Sequence, residues 1–252
     1  MHGLAYLGEG GEIVQTPRRQ RITELDKIPL PRWDLVPLKG YLAGGLSFGV
    51  NRGRTIPMLA TRGCPYQCTF CSSPNMWTTR RKARRPDLVV DEIESYVQQY
   101  EVGNIDFYDL PAVVCKDWII EFAQLLMGRE LNITWQLPIG ARTEALDEEV
   151  LSDLYRSGCR NLSYAPESGS PRVLKKIKKK VEPSRMIASM RTAVASGLNA
   201  KANGIFGFPV ETHSDIWRSL YFIARMAING VNDVSVWTYS PYPGIEIYAE
   251  LK

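Results

Sequence analysis

Several features are scarce in this 252-residue sequence, and each scarcity narrows its function. Apolar runs such as "IPMLA" fall far short of the roughly 20 residues a membrane-spanning helix needs. The opening "MHGLAYLGEGGEIV" has none of the basic-then-apolar plan of a secretory leader, so the chain is read as cytoplasmic. A net charge of +4 is too slight to argue for nucleic acid by itself. Its two histidines, His2 and His213, have no partners at metal-ligand spacing and are expected at the surface. Cysteines number only five, an odd and clustered set, which in a reducing compartment points to metal or redox chemistry rather than a disulfide framework. What remains is ordinary for a globular chain, at 44% hydrophobic and 23% charged, with length for one sizeable domain or two small ones.

Residues 1–50 carry "TPRRQRITELDKIPLPRWDLVP" and then the glycine-rich "YLAGGLSFGV", which read as a linker or extended arm packed along a domain. From there to residue 252 a rhythm sets in. Strand-like "IPMLATRG", "NIDFYD", "ITWQLPIGAR", "NLSYAPES", "NAKANGIFGF" and "DVSVWTYSPYP" alternate with helical patterns such as "PDLVVDEIESYVQQY" and "KDWIIEFAQLLM". Ser170 with Pro171 reads as a helix start, and Thr212 with Asp215 as a capping box. Strict alternation argues for parallel strands with crossover helices. Six such units fit either an open barrel, three-quarters of an eightfold one, or a doubly wound sheet. In both, ligands gather at the C-terminal strand ends, where Asp109, Arg142, Glu167, Pro209 and Glu211 fall.

The cysteines "RGCPYQCTFC" follow the first strand. Structural zinc wants four ligands, usually as two close pairs, and Cys115 and Cys159 stand on different units where each reads as a small packed residue. A 4Fe-4S cluster held by Cys64, Cys68 and Cys71 would keep one iron open, as a catalytic metal site keeps a position for substrate.

"CPYQCTFC", with Phe70 before the third cysteine, is similar to the cluster loop of the radical S-adenosylmethionine (radical SAM) enzymes. "YAPESGSPRVLKKI", "GIFGFPVET" and "YSPYPGIEIYAEL" resemble that family's fourth-, fifth- and sixth-strand segments, Ile245 replacing the usual threonine. The opening stretch looks like the tail after a cobalamin-binding domain in the cobalamin-associated branch. The resemblance implies an α/β fold, a partial (β/α)6 TIM-like barrel over residues 51–252 preceded by the linker of residues 1–50. It implies cluster and S-adenosylmethionine as cofactors, with reductive cleavage to a 5′-deoxyadenosyl radical or cobalamin-dependent methyl transfer. Cobalamin would then belong to a longer parent chain or a partner. A small-molecule or peptide substrate and an electron donor such as flavodoxin or ferredoxin are the expected partners.

On the same resemblance Phe70, Asp109, Arg142 and Glu167 are cofactor-contact candidates. Glu167 would accept from the ribose hydroxyls, and Asp109 would hold the methionine amino group or else cap "AVVCKDW". Arg142 would pair with the methionine carboxylate or tie down a strand end. Glu211 is expected to support the following helix, and Gly207 and Pro209 to shape the backbone. The run "KKIKKK" is read as a solvated helix face, while "TTRRKARRP" lies near the mouth and could meet an acidic substrate or the reductant. Trp237, Tyr239 and Tyr242 are read as one packed face. Two other readings stand beside the radical SAM one: a methylthiotransferase-like enzyme, and a non-catalytic zinc module with basic arms.

Overall fold

In the computed structural model, which describes residues 1–109, 115–141 and 146–251, the six strand-like runs form one parallel sheet. Three short elements of the N-terminal arm come first: β1 (Ala5–Leu7) and β2 (Ile13–Gln15), an antiparallel pair, then α1 (Leu38–Ala43). They are followed by β3 (Thr55–Met58), β4 (Thr61–Arg62), α2 (Ser73–Trp77), β5 (Lys82–Ala83), α3 (Pro86–Tyr100), β6 (Asn104–Phe107) and α4 (Lys116–Gly128). The rest are β7 (Thr134–Ala141), α5 (Glu148–Arg156), β8 (Cys159–Glu167), α6 (Pro171–Lys176), α7 (Pro183–Ala195), β9 (Asn199–Phe206), α8 (His213–Ile228), β10 (Asp233–Thr238) and α9 (Glu246–Glu250).

Strand order decides between the two architectures the sequence left open. Across the sheet it runs β3, β6, β7, β8, β9, β10, each beside its predecessor. A doubly wound sheet reverses direction at a switch point. This one never does, so right-handed crossovers put all helices on one face and the sheet curls into a partial barrel with β3 and β10 as its edges.

Side-chain alternation explains where the core sits. Ile105 and Phe107 of β6, Trp135 and Leu137 of β7, Leu162 and Tyr164 of β8, and Ala200 and Ala202 of β9 are buried toward the helices. Their neighbours Asp106, Gln136, Asn161, Ser163 and Asn203 point the other way, into the barrel. The apolar layer between sheet and helices is closed by Phe107, Phe122 and Trp135, whose rings meet edge-to-face at 5.4–5.8 Å. At these positions the barrel interior, by contrast, is polar.

One expectation needs correction. The run "IPMLATRG" is not one strand: β3 ends at Met58, and Thr61 and Arg62 turn to pair antiparallel with Ala83 and Lys82. The N-terminal arm packs on the domain through Leu38 and Leu42, one helical turn apart on α1 and buried in the main core. Residues beyond it enter the barrel. The amides of Gly49 and Val50 donate to Asp106 Oδ2 at 3.1 Å and Gln136 Oε1 at 3.2 Å. A Cβ on Gly49 would lie 2.4 Å from Gln136 Nε2 and 2.9 Å from Asp106 Oδ2, so only glycine admits the backbone this far.

Candidate active site

Strand β8 ends at Glu167, whose φ of +64° lies in the left-handed region, unusual for a residue with a side chain. The β8–β9 register also shifts between Tyr164 and Glu167. Such irregularity re-aims a side chain at a strand end. "SGSP" then packs the turn against α8. Ser219 Oγ lies 3.0 Å from Ser168 Oγ and accepts from the Gly169 amide at 3.0 Å. A Cβ on Gly169 would meet Phe222 Cβ at 2.5 Å and the Arg218 carbonyl at 2.7 Å. Ser170 caps α6 and donates to Asp215 at 2.5 Å. Asp215 closes the expected capping box with Thr212 and pairs with Arg172, so its carboxyl is held well below the usual range, by Arg172 first and Ser170 next.

Glu167 is buried, and so is its partner. Lys179 Nζ donates to Glu167 Oε1 at 2.8 Å, both side chains being less than a tenth exposed. This corrects the reading of "KKIKKK" as a solvated face. α6 stops at Lys176, Lys178 takes a left-handed φ of +54°, and the reversed chain carries Lys179 inward. Lys178 itself meets Glu246 at the surface.

All five cysteines are thiols. Cys159 is fully buried in the core, its thiol pushed up to about 12 by burial, and Cys115 occupies the N-cap position of α4 without a side-chain capping bond. Cys64, Cys68 and Cys71 are partly exposed on the loop between β4 and α2. That loop is stitched to the turn after α6, which carries Lys179 to Glu167, and to α9. The Thr69 amide donates to the Ile177 carbonyl at 3.1 Å, Ile247 donates back to Thr69, and Cys68 Sγ lies 3.9 Å from the Lys178 carbonyl. Burial raises the Cys71 thiol despite a donation from the Ser73 amide, and nearby Cys64 and Glu167 add to the rise while Lys179 opposes it. Cys64, Cys71, Glu167 and Lys179 thus share one local field. Among the described residues no three His, Cys, Asp or Glu side chains are drawn together tightly enough for a single ion.

Phe70 packs edge-on against Phe208, 5.5 Å between ring centres, and Phe208 against Tyr239 at 4.9 Å. Phe70, Glu167 and Tyr239 line a cavity of about 940 Å³ that runs down the barrel to Gln136, Asn161 and Asn199. Trp237 and Tyr242 line it too and are more than half exposed, so these aromatics are not one packed face. The Phe48–Val50 segment, read in the sequence only as the end of the glycine-rich arm, forms part of its wall.

Asp109 is turned elsewhere. It is buried, accepts from the Ala60 amide at 3.2 Å and Thr61 Oγ1 at 2.6 Å, and is not among the described residues lining the cavity. Burial pushes its carboxyl up. Nor does it cap α4, whose N-cap position is held by Cys115. Arg142 lies outside the described residues. Glu211 braces the turn before α8 by accepting from the Gly207 and Phe208 amides, and His213 is exposed. In the arginine run, Arg84 is tied to buried Glu92 and so serves the fold.

The sequence profile of the Radical SAM superfamily matches residues 58–223, two-thirds of the chain, from the end of β3 into α8. The chain belongs to the radical SAM superfamily. It is 31% identical over 247 residues to an uncharacterized methyltransferase of Pyrococcus horikoshii, spanning 98% of this chain and 51% of that protein. It is 28% identical to the anaerobic magnesium-protoporphyrin IX monomethyl ester cyclase of Rubrivivax gelatinosus, spanning all of this chain and 43% of the cyclase. Among solved structures, the radical SAM methyltransferase TsrM of Kitasatospora setae, with tryptophan and an S-adenosylmethionine analogue, superposes with a TM-score of 0.79 at 18% identity over 99% of this chain and 48% of TsrM. The chain thus spans about half the length of these relatives. The partial-barrel reading of the sequence stands, and no described helix is long and apolar enough to cross a membrane.

Proposed function

We propose that this chain is the catalytic barrel of a radical SAM enzyme. It would hold a 4Fe-4S cluster on Cys64, Cys68 and Cys71 and bind S-adenosylmethionine between Phe70 and Glu167. The product would be a radical or, with cobalamin from another domain or chain, a methylated small molecule or peptide. One observation carries this reading: three thiols lie on a loop stitched to the turn after α6, and that turn brings Lys179 onto a buried, left-handed glutamate at the end of β8.

The donor set fits. Three thiolates suit an iron–sulfur cluster with one iron left over, and Cys64 lies near enough to Cys71 to add to the rise of its thiol. When bound, the cluster supplies the electron that splits the sulfonium cofactor. The chain's own residues do the holding. Glu167 offers carboxylate oxygens to vicinal hydroxyls, Lys179 fixes its direction, and Phe70 with Phe208 keeps water from the loop's inner side. The cavity gives a substrate aromatic walls and a floor of amide side chains. Cobalamin finds no assigned donor here and is left to the further domain or chain. An electron-carrier protein such as a flavodoxin or ferredoxin would serve a loop exposed in this way, and a reducing, cytoplasmic setting would keep its thiols available.

Anaerobic reconstitution with iron and sulfide tests the proposal. The expected result is a brown protein that cleaves S-adenosylmethionine under reductant, with Cys68→Ala losing colour and cleavage together. A colourless protein carrying one zinc, or a Cys68→Ala variant with full cleavage, overturns it.

A further inference from the structure

The cysteine loop, residues 63–81, is closed by a stem of only two residue pairs, Thr61 with Ala83 and Arg62 with Lys82. A two-stranded ribbon that short does not hold a long loop by itself. The N-terminal arm supplies the missing support. Arg21 Nη2 donates to the Arg62 carbonyl at 2.8 Å, on the leg entering the loop. Arg21 Nη1 donates to Thr78 Oγ1 at 2.8 Å and to the Arg80 carbonyl at 2.5 Å, on the leg leaving it. One planar guanidinium therefore bridges both legs, which a lysine point charge cannot do.

The surrounding backbone is shaped to this clamp. Gly63 has a φ of +85°, and a Cβ there would lie 2.5 Å from the Arg80 carbonyl and 2.8 Å from Arg21 Nη2. Thr78, β-branched, sits at φ +63°, a costly conformation for it, and its hydroxyl takes the Arg21 bond. A second tie registers the arm: Asp26 accepts from the Arg85 amide at 3.2 Å and lies 3.8 Å from the Arg84 guanidinium.

We propose that Arg21 is a positioning residue for the cysteine loop: the arm fixes the spread of the two legs and with it the convergence of Cys64, Cys68 and Cys71. The proposal rests on reading those thiols as the cluster ligands. In the full chain without iron, amide hydrogen exchange across residues 64–80 should speed up about tenfold or more in Arg21→Ala, the effect of losing two or three hydrogen bonds to one cation. Arg21→Lys should loosen the loop similarly, while Arg18→Ala on the same arm should not. After anaerobic loading and desalting, both Arg21 variants should retain less than about half the wild-type iron and bleach faster in air. Wild-type exchange and iron retention in Arg21→Lys overturn the clamp. So does a uniform loss of stability with no selective change in the loop. If wild type itself takes up no iron, the cluster reading fails while the exchange experiment still reports on the clamp.

Discussion

Glu167 and Lys179 show how much one pair of side chains decides at this site. Each is buried and each is the other's ion-pair partner, so removing one leaves an uncompensated charge inside the protein. Lys179→Met should therefore destabilise by about 3 kcal/mol or more in urea unfolding, and Lys179→Met combined with Glu167→Gln should recover most of that. A double variant no more stable than the single would show that Lys179 acts through packing rather than charge. The sequence marked Glu167, because an acidic residue between a strand and "SGSP" has no packing explanation. It did not mark Lys179. A lysine among four others in a six-residue run carries no signal of its own, and its inward turn depends on the left-handed Lys178 that no propensity requires. Asp109 shows the converse. Its place after a strand was legible, but whether the carboxylate faces cofactor or the neighbouring strand end depends on Thr61, which leaves the sheet for another pairing.

At the scale of elements, most of the barrel could be read directly. The helix of residues 86–100 begins at its proline and runs to Tyr100 as its apolar spacing implied, and the box of Thr212 and Asp215 starts α8. What could not be read was long-range: the arm's segment inside the barrel is held by β6 and β7, far away in sequence. Asp215 joins the two kinds of information, since it caps its own helix and also receives Ser170 and Arg172 from the Glu167 turn. Its carboxyl is depressed in the folded state, so its contribution is fully present above the unfolded value of about 3.9 and is lost as pH falls toward the lower folded one. Asp215→Asn should cost about 2 kcal/mol at pH 7, with the gap from wild type closing below about pH 4. A gap that stays constant from pH 7 to 3 would place the effect in helix capping alone.

For the whole molecule, two buried carboxyls set an opposite trend. Asp106, facing into the barrel, and Asp109, two residues past the end of the same strand, are both buried, and burial raises both carboxyls. Asp106 relies on amide donors from Gly49, Asn104 and Gln136, and Asp109 on Ala60 and Thr61, with the Arg81 guanidinium near enough to feel its charge. A carboxyl whose folded pKa is raised binds its proton more tightly in the folded state. Its burial costs nothing below the unfolded value of about 3.9, then destabilises progressively as pH rises through the window up to the folded value. Wild-type stability should accordingly climb from pH 3 as Asp215 ionises and decline at higher pH as Asp106 and Asp109 lose protons in their buried sites. Asp109→Asn separates the limbs, because an amide oxygen still accepts from Ala60 and the Thr61 hydroxyl can turn to accept from the amide nitrogen. That variant should match or fall slightly below wild type near pH 4, exceed it above the folded pKa, and leave the acid limb unchanged in urea midpoints from pH 3 to 8. An Asp109→Asn curve parallel to wild type throughout would mean that the Asp109 carboxyl ionises as readily in the fold as in water, and that the barrel tolerates its charge without cost.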